Sequence, residues 1–325
     1  MEKRHKPMSS EPILVVIPCY KARRHILKVI AGLGSEVGVV HVVDDACPEG
    51  TGDYVEKNCR DARVRVHRHI VNQGVGGAVV TGLRAALAQG AGIIVKIDGD
   101  GQMDPALIPK FVRPIQRGRA DYTKGNRFHQ REYLRGMPLV RLLGNSALSF
   151  LCKLSFGYWS VMDPTNGYLA IHAKVAAALP LEKVARDYFF ESDLLFRLNL
   201  LRAVVEDIPM PAVYKDEESH LSVTRSIGQF AASHAVCLGK RVFYSYFLRD
   251  FNAASLMLLV ALPLLGFGVI FGVLEWTRSI ATQTVVSSGT VMLAALPIIL
   301  GLQLFLSAIQ YDIYQQPDVP IHDQL

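Results

Sequence analysis

The sequence predicts an α/β fold with a mainly parallel sheet and helices on both faces, followed by a C-terminal two-helix transmembrane hairpin. Two features predict this arrangement. Between residues 12 and 124, short apolar runs rich in β-branched residues alternate with segments of helical periodicity. Near the C-terminus, the uncharged apolar segments Phe251–Leu274 and Ser279–Tyr311 are each long enough to cross a hydrocarbon core of about 30 Å.

Local composition predicts the individual elements. Strands are predicted where apolar runs are bounded by glycine, proline or acidic residues, at 12–20, 37–43, 64–67, 93–97 and 120–124. Helices are predicted from the spacing of apolar residues and from end signals, at 21–34, 51–59, from near Gly77 to Gln89, from Asp104 and at 188–201. Because ligands gather at the carboxyl ends of strands in such sheets, we expect one crevice at that edge.

The stretch Ile93–Pro105 carries the most specific chemistry. A buried strand there ends directly in Asp98, Asp100 and Gln102, which are separated by glycines that let the backbone approach a ligand closely. Two carboxylates held this close repel each other, and a divalent cation relieves the repulsion. Hard oxygen ligands favour Mg²⁺ or Mn²⁺, with further ligands supplied by substrate phosphates. The alternative is an ordinary Asp-Gly turn with solvated side chains.

The overall composition limits the classes of molecule that the protein is expected to bind. The chain has 325 residues, is half hydrophobic, and carries a formal net charge of +6 with a pI of about 9.0. This charge suits anionic lipid or phosphorylated substrates, whereas no sequence motif of nucleic-acid binding accompanies it. The five cysteines are scattered without a Cys-x-x-Cys pair, which argues against zinc and favours a reducing compartment. The first eleven residues lack the apolar core of a signal peptide.

Composition also divides the chain into five segments. They are a polar tail at 1–11, a catalytic domain at 12–225, an amphipathic juxtamembrane helix at 226–250, two transmembrane helices at 251–311 and a C-terminal tail at 312–325. Within the catalytic domain, the apolar residues at about 138–159 follow a run of arginines. They predict helices on the membrane surface, with an ordinary core helix as the open alternative.

Basic residues predict the orientation of the hairpin. Lys240, Arg241 and Arg249 precede the first span, and positive-inside bias places them, the catalytic domain and both termini in the cytoplasm. Glu275–Arg278 is predicted to form the turn between the spans. We therefore expect an integral protein of a bacterial inner membrane, in contact with membrane lipids.

Two further stretches carry residues suited to ligand binding. Asp44-Asp45 ends the second strand and suits hydrogen bonds to a base or a ribose, with a helix cap at Asp45 or Thr51 as the alternative. The glycine-rich stretch 72–78 lies in the third strand-to-helix crossing, which does not fit a dinucleotide fingerprint. It predicts a helix N-terminus that approaches a diphosphate or packs tightly. The ten histidines show no metal-ligand spacing, and most are expected on the surface.

Five motifs, taken in order, resemble those of family 2 glycosyltransferases. They are Val16-Ile-Pro-Cys-Tyr20, Asp44-Asp45, Asn72-x-Gly74, Asp98-Gly-Asp-Gly-Gln-Met-Asp-Pro105 and Gly125-Asn-Arg127. The chain is most similar to the polyprenyl-phosphate branch, which includes dolichyl-phosphate mannose synthase and GtrB-type enzymes. The resemblance covers residues 12–225, and the terminal hairpin matches the membrane-anchored members. It implies a Rossmann-like GT-A fold that binds a nucleotide-diphospho-sugar.

The resemblance also implies roles for single residues on the donor side. Pro18 and Tyr20 would line the nucleotide pocket, Asp44 and Asp45 would contact the base or ribose, and Asn72 would lie in the substrate site. The chain departs from the family pattern twice. Glu49 replaces the usual aspartate before Gly50-Thr51, and Val75 replaces the lysine that commonly follows Asn-x-Gly, so one expected phosphate contact is missing.

On the metal and acceptor side, Asp98 would hold ribose or metal, and Asp100 and Gln102 would ligate the metal. Arg127 would hold a phosphate of the donor or of a lipid acceptor. Arg131 or Arg135 would assist it near the membrane surface, and Lys215 and Arg225 would close over the phosphates from a later polar loop.

The reaction implied is inverting transfer of one hexose-type sugar to a polyprenyl phosphate, which attacks without a general base because it is already anionic. A second reading is transfer to a glycan or glycolipid hydroxyl, for which Glu191 or Asp193 would serve as the base. For these two residues a solvated helix face is the alternative. A third reading is a non-catalytic nucleotide-binding membrane subunit. Anchored members of the family are commonly homo-oligomers, which favours the same here.

Overall fold

The computed structural model describes residues 11–128, 149–211 and 223–325, except for the side chains of 223–227. The chain forms two compact units. The first, Met1–Leu238 with Pro317–Leu325, is called the sheet unit below. The second, Gly239–Gln316, is called the hairpin unit.

The described part of the sheet unit alternates strands and helices along the chain. Its strands are β1 (Ile13–Cys19), β2 (Val37–Asp44), β3 (Val64–Arg68), β4 (Ile93–Lys96), β5 (Tyr122–Asn126), β6 (Leu169–His172) and β7 (Val205–Pro209). Its helices are α1 (Ile26–Ala31), α2 (Thr51–Asn58), α3 (Gly74–Ala88), α4 (Ile108–Gln116), α5 (149–156), α6 (Ala173–Ala178), α7 (Phe190–Leu201) and most of α8 (Val223–Phe243). Short 3₁₀ turns lie at Pro105–Leu107 and Leu181–Lys183.

The strands form one mixed sheet in the order β3-β2-β1-β4-β6-β5-β7. β6 is antiparallel to both of its neighbours, and every other pair is parallel, which confirms the predicted mainly parallel sheet. In this register Cys19 lies beside Asp44, and Val16 lies beside Lys96. The carboxyl ends of β1, β2, β4 and β5 therefore share one edge, where the predicted site residues follow the strands.

Alternation along the strands divides the core into two layers. Val15 belongs to the layer that α1, α2 and α4 cover, and Val16 to the layer that α3, α5 and α7 cover. Both side chains are fully buried. Each such side chain contributes about 1.5–3 kcal/mol relative to its exposed state, so the covered sheet holds the site edge rigidly.

The last residues of the chain pack back onto the sheet unit through Asp121, which is fully buried just before β5. Its carboxylate accepts hydrogen bonds from the backbone N–H groups of Val204 (2.7 Å), Ile321 (3.0 Å) and His322 (2.9 Å), and contacts the His322 ring nitrogen at 2.7 Å. The His322 ring also stacks on His172 with centroids 4.3 Å apart. The C-terminal tail is therefore an integral part of this unit.

Some predicted boundaries are wrong for local reasons. The helix expected from Lys21 begins only at Ile26, since Lys21 has a left-handed backbone with φ of 56°. The helix expected from Asp104 starts as a 3₁₀ turn, and the Asp104 side chain accepts from the Ala106 N–H at 3.0 Å. β6 and β7 were not predicted, because one has four residues and the other, Val-Glu-Asp-Ile-Pro, lacks an apolar pattern.

The hairpin unit contains two long apolar helices, α9 (Ala253–Thr282) and α10 (Ser288–Tyr314), each long and apolar enough to cross a membrane. Asn252 begins α9 with a capping box, and Ser287 caps α10. The helices approach closely at Gly268, where an added Cβ would lie 2.9 Å from the Ala294 carbonyl oxygen. Small residues at such points allow tight packing in lipid.

One prediction about the hairpin is wrong, and one of its basic residues has an unexpected environment. Glu275–Arg278 lies inside α9, and residues 283–287 connect the helices instead. Arg241 is buried, and it forms a bidentate ion pair with Asp312 at 2.7 and 3.0 Å, joined by the Tyr246 hydroxyl. Its charge is thus neutralised inside the hairpin unit and does not contribute to a basic surface.

Candidate active site

The end of β4 places a buried lysine beneath the first carboxylate of the predicted metal motif. The Lys96 side chain is 1% exposed, and its Nζ lies 2.7 Å from Asp98 Oδ1. Asp98 itself is 28% exposed at the sheet edge. The ammonium also lies 5.4 Å from the centre of the Phe190 ring. Sequence reasoning missed Lys96, although a charge within the apolar run 93–97 was the available signal.

The loop after Asp98 turns sharply to present the next ligands. Gly101 has φ of 75°, a conformation that a side chain would strain, and Asp100 Oδ1 accepts a hydrogen bond from the Gln102 N–H at 2.9 Å. Within the described residues, no group of three or more His, Cys, Asp or Glu side chains is arranged to hold a metal ion. The two carboxylates and one amide of this loop are hard oxygen donors, which suit a cation completed by substrate phosphates.

The acidic pair at the end of β2 serves two different purposes. Asp44 is buried and accepts from the N–H groups of Cys47 (2.8 Å) and Gly52 (2.6 Å), so it is the residue that caps the loop before α2. Asp45 Oδ1 lies 2.6 Å from His69 Nδ1 and accepts from the Gln73 N–H at 2.8 Å. The cap expected from Asp45 or Thr51 is therefore wrong, because Asp44 accepts the N–H groups at the start of α2. The His69 side chain is buried against Asp45 and is not the expected surface residue.

The loops after β1 and β2 are tied to each other beside this pair. The Lys21 N–H donates to Cys47 Sγ at 3.0 Å, and the Asp45 N–H donates to the Cys19 carbonyl at 3.2 Å. Pro18 is buried within β1, whereas Tyr20 is 49% exposed beyond its end. An exposed aromatic face beside a strand end is suited to stacking on a base.

The glycine-rich stretch at the start of α3 allows close packing. The Asn72 side chain accepts from the Gly74 N–H at 3.0 Å. A Cβ at Gly74 would lie 2.3 Å from the Arg186 carbonyl oxygen, and one at Gly76 would lie 2.1 Å from that of Ala185. Of the two alternatives left open for this stretch, the contacts favour tight packing against 185–186.

Arg127 is fixed at the end of β5 by a buried carboxylate. Asp163 is fully buried, and its carboxylate accepts hydrogen bonds from Nε (2.8 Å) and Nη2 (3.0 Å) of Arg127. Although burial raises the Asp163 pKa, the hydrogen bonds from Arg127 lower it below its usual range. The buried Lys124 donates to the Asp163 backbone carbonyl. The guanidinium is therefore held in one orientation at the site edge.

Glu191 and Asp193 are two residues apart on α7, so they lie on different sides of the helix and have different environments. The pKa of Glu191 is raised to about 7, chiefly by burial; the Lys96 ammonium opposes this shift, and the neighbouring Asp98 adds to it. Asp193 accepts from the Ala185 N–H at 2.9 Å and from Arg197 Nε at 2.9 Å, so its carboxylate is occupied by structural contacts. Of the two, Glu191 is the residue that adjoins the β4 site.

Comparison with known proteins connects this geometry to a family. Residues 14–179, about half of the chain, match the family model described as glycosyl transferase family 2. The chain belongs to glycosyltransferase family 2.

The names of several relatives specify a dolichyl or undecaprenyl phosphate. The chain is 28% identical over 251 residues to UDP-N-acetylglucosamine–dolichyl-phosphate N-acetylglucosaminyltransferase of Methanococcus voltae, covering 73% of this chain and 95% of that protein. It is 28% identical over 208 residues to undecaprenyl-phosphate mannosyltransferase of Micrococcus luteus, covering 63% and 84%. The chain is thus a glycosyltransferase similar to polyprenyl-phosphate enzymes.

A solved structure of the same fold is glucosyl-3-phosphoglycerate synthase from Mycobacterium tuberculosis, in complex with Mn²⁺, UDP and glucosyl-3-phosphoglycerate. The TM-score is 0.52 at 20% identity, and the match covers 71% of this chain and 80% of that one. This likeness confirms the GT-A fold.

The described residues bring most of the predicted site together. The sheet register gathers Asp45, Asp98 and Asp100 at one edge, with Arg127 following β5 on the same edge. Arg131, Arg135, Lys215 and the side chain of Arg225 lie outside the described residues, as do residues 138–148 of the predicted membrane-surface helices. Lys96, His69 and Asp163 were not predicted as parts of the site.

Proposed function

We propose that the chain transfers one hexose-type sugar from a nucleotide-diphospho-sugar to a polyprenyl phosphate, with inversion, at the cytoplasmic face of the membrane. The observation that carries this proposal is the convergence of acids from two distant stretches, Asp45 and Asp98-x-Asp100, at one sheet edge. The names of the relatives support the lipid-phosphate acceptor, and the two long apolar helices support a membrane location.

The residues present fit a divalent cation, Mg²⁺ or Mn²⁺, at the loop after β4. Asp100 and Gln102 would hold it, and when bound it would neutralise the charge that develops on the leaving diphosphate. Asp45 accepts hydrogen bonds from the base or ribose, and its carboxylate is oriented by the contact of 2.6 Å between its Oδ1 and His69 Nδ1. Tyr20 covers the base from the end of β1.

Arg127 holds the acceptor phosphate in this proposal. Its bidentate contact with Asp163 fixes the plane of the guanidinium before any ligand arrives, which reduces the entropy lost on binding. A phosphate is anionic at neutral pH, so attack on the sugar needs no proton acceptor. The inversion follows from a single in-line displacement.

One observation favours the second reading, transfer to a hydroxyl. Glu191 adjoins the site, and burial raises its pKa to about 7, which suits a general base. Under the first reading the same carboxyl has no proton to accept. The two readings therefore differ in whether Glu191 is required.

The proposed orientation rests on the basic residues that the hairpin leaves exposed. Lys240 and Arg249 are exposed near the start of α9, whereas Arg241 is neutralised by Asp312. Two exposed cations in the segment just before α9 still satisfy the positive-inside bias. We propose an inner-membrane protein with both termini in the cytoplasm, and homo-oligomerisation by analogy with anchored relatives.

The test is an assay of membranes that contain the full chain with a panel of radiolabelled nucleotide sugars and undecaprenyl phosphate. A labelled lipid that mild acid releases supports the lipid-phosphate reading, and label found only in acid-stable glycan supports the hydroxyl reading. Asp100→Ala should abolish metal-dependent transfer, whereas Asp53→Ala, at a carboxylate that is 77% exposed, should not. Full activity of Asp100→Ala in EDTA would remove the mechanism, and no label with any donor would leave the non-catalytic reading.

A further inference from the structure

Lys96 is a lysine in the interior of an α/β sheet, at the last position of β4. Its ammonium contacts Asp98 Oδ1 at 2.7 Å, and the side chain is almost completely buried. A buried ammonium requires a counter-ion, because the protein interior solvates charge poorly. The chain thus commits one oxygen of Asp98 to an internal partner.

The absence of a side chain at Gly167 makes room for this ion pair. A Cβ at Gly167 would lie 2.5 Å from Lys96 Nζ, 3.0 Å from Asp98 Oδ2 and 3.3 Å from Glu191 Oε1. All three charged groups therefore converge on one point behind the sheet edge. Asp98 contacts Lys96 through Oδ1, and its Oδ2 lies beside Gly167, while Asp100 stands two residues further along the loop.

A second buried lysine occupies an equivalent place in the sheet and serves as a comparison. Lys96 of β4 and Lys124 of β5 both pair with Leu169 of β6, so the two lysines stand in one row across the sheet. Lys124 is also fully buried, but its Nζ donates to the Asp163 carbonyl. Both lysines are buried cations, but the ammonium of Lys96 contacts a carboxylate, whereas that of Lys124 contacts a backbone carbonyl.

We infer that Lys96 is a positioning residue that holds Asp98 as its counter-ion, and that Asp98 is therefore not a ligand of the divalent cation. The cation is left to Asp100 and Gln102. This inference rests on the proposed function and divides the acidic motif into an internal ion pair and a ligand. It also explains why a lysine interrupts the apolar strand directly before the motif.

The experiment compares single and double substitutions in the purified full chain. Asp98→Asn removes the carboxylate that contacts the buried Lys96 ammonium, and Lys96→Met leaves Asp98 beside Glu191 without its cation. Each single variant should therefore lower the melting temperature. The double variant Lys96→Met/Asp98→Asn removes one positive and one negative charge, so the net charge at the site is unchanged. Its melting temperature should return toward that of the wild type.

Mn²⁺ binding is then measured by electron paramagnetic resonance of the free ion, with and without saturating UDP. We expect the double variant to bind Mn²⁺ as the wild type does, within about threefold. Asp100→Asn should lose about tenfold or more, the range typical when coordination is disturbed. Lys124→Met should lower the melting temperature without a comparable loss of Mn²⁺ affinity, which controls for the loss of a buried lysine.

The outcomes separate this inference from the proposed function. A double variant that loses Mn²⁺ affinity as far as Asp100→Asn would make Asp98 a ligand and overturn the inference, while leaving the proposed function intact. Single variants with wild-type melting temperatures would overturn the counter-ion role. A wild-type chain that binds no Mn²⁺ even with UDP would remove the proposed cation site and this assignment together.

Discussion

Gly167→Ala tests the geometry of the site with the smallest possible addition. The new methyl group would lie 2.5 Å from Lys96 Nζ and 3.0 Å from Asp98 Oδ2, against about 3.5–4.0 Å for ordinary contacts. The Lys96–Asp98 pair or the turn that carries residue 167 must therefore move by about 1 Å. Overpacking of this kind costs about 1–3 kcal/mol of stability, which corresponds to roughly 2–12 °C in Tm for a domain of this size.

The effect on catalysis should exceed the effect on stability. A displacement of about 1 Å in a catalytic constellation can lower the rate about 100-fold, so kcat should fall by roughly that factor. The measurement is sugar transfer by the purified chain, together with its thermal unfolding. Gly228→Ala is the matched control, because a Cβ there meets nothing within 4 Å, and in α8 the substitution should be neutral or slightly stabilising. Wild-type kcat and Tm in Gly167→Ala would refute the argument.

Three further predictions concern the surrounding network. If Arg127 holds the acceptor phosphate as proposed, Asp163→Asn should lower kcat/KM for that acceptor. Adding Asp163→Asn to Arg127→Met should lower kcat/KM by less than about a further twofold, because the two residues act as one unit, and additive losses would show that they act separately. Glu191→Gln should raise Tm at pH 8 but not at pH 4. Burial raises the Glu191 pKa from 4.5 to about 7, so an ionised carboxyl at this position destabilises the folded state at pH 8, whereas at pH 4 the carboxyl is protonated. An equal gain in Tm at both pH values would contradict this. Asp121→Ala should lower the unfolding free energy by at least about 3 kcal/mol, because several buried N–H donors lose their acceptor, and it should expose residues 317–325 to protease. His322→Ala should cost less, because it removes the ring contacts with Asp121 and His172 but keeps the backbone N–H bonds to Asp121. Protection of the tail in Asp121→Ala would count against the tail docking described above.

The strand ends were the most predictable part of the site. Continuous apolar runs bounded by glycine, proline or acidic residues are sufficient to place β1, β2 and β4, and parallel pairing then brings their carboxyl ends to one edge. This is why Asp45, Asp98 and Asp100 were expected together. The same local rules fail where regular structure is short or polar, as they did for β6 and β7.

The partners of the site residues were not predictable in this way. Asp163 reaches Arg127 across 36 positions, and His322 reaches Asp121 across 201, so only the folded chain defines either pair. Hydropathy likewise does not distinguish a helix end from a polar turn of a continuing helix, so Glu275–Arg278 was misplaced as a loop. The burial of Lys96 beside an acidic partner could have been predicted, since an isolated charge in a buried strand requires a partner.

The docking of residues 317–325 onto the sheet unit means that the hairpin is attached to that unit by both of its ends. A single cut in the connection 283–287 would therefore leave two polypeptides that stay associated. The C-terminal fragment would be retained by the Asp121 contacts and by the pairing of Asp312 with Arg241. A fusion partner placed at Leu325, which is exposed, would remain next to the sheet unit and would report its compartment directly.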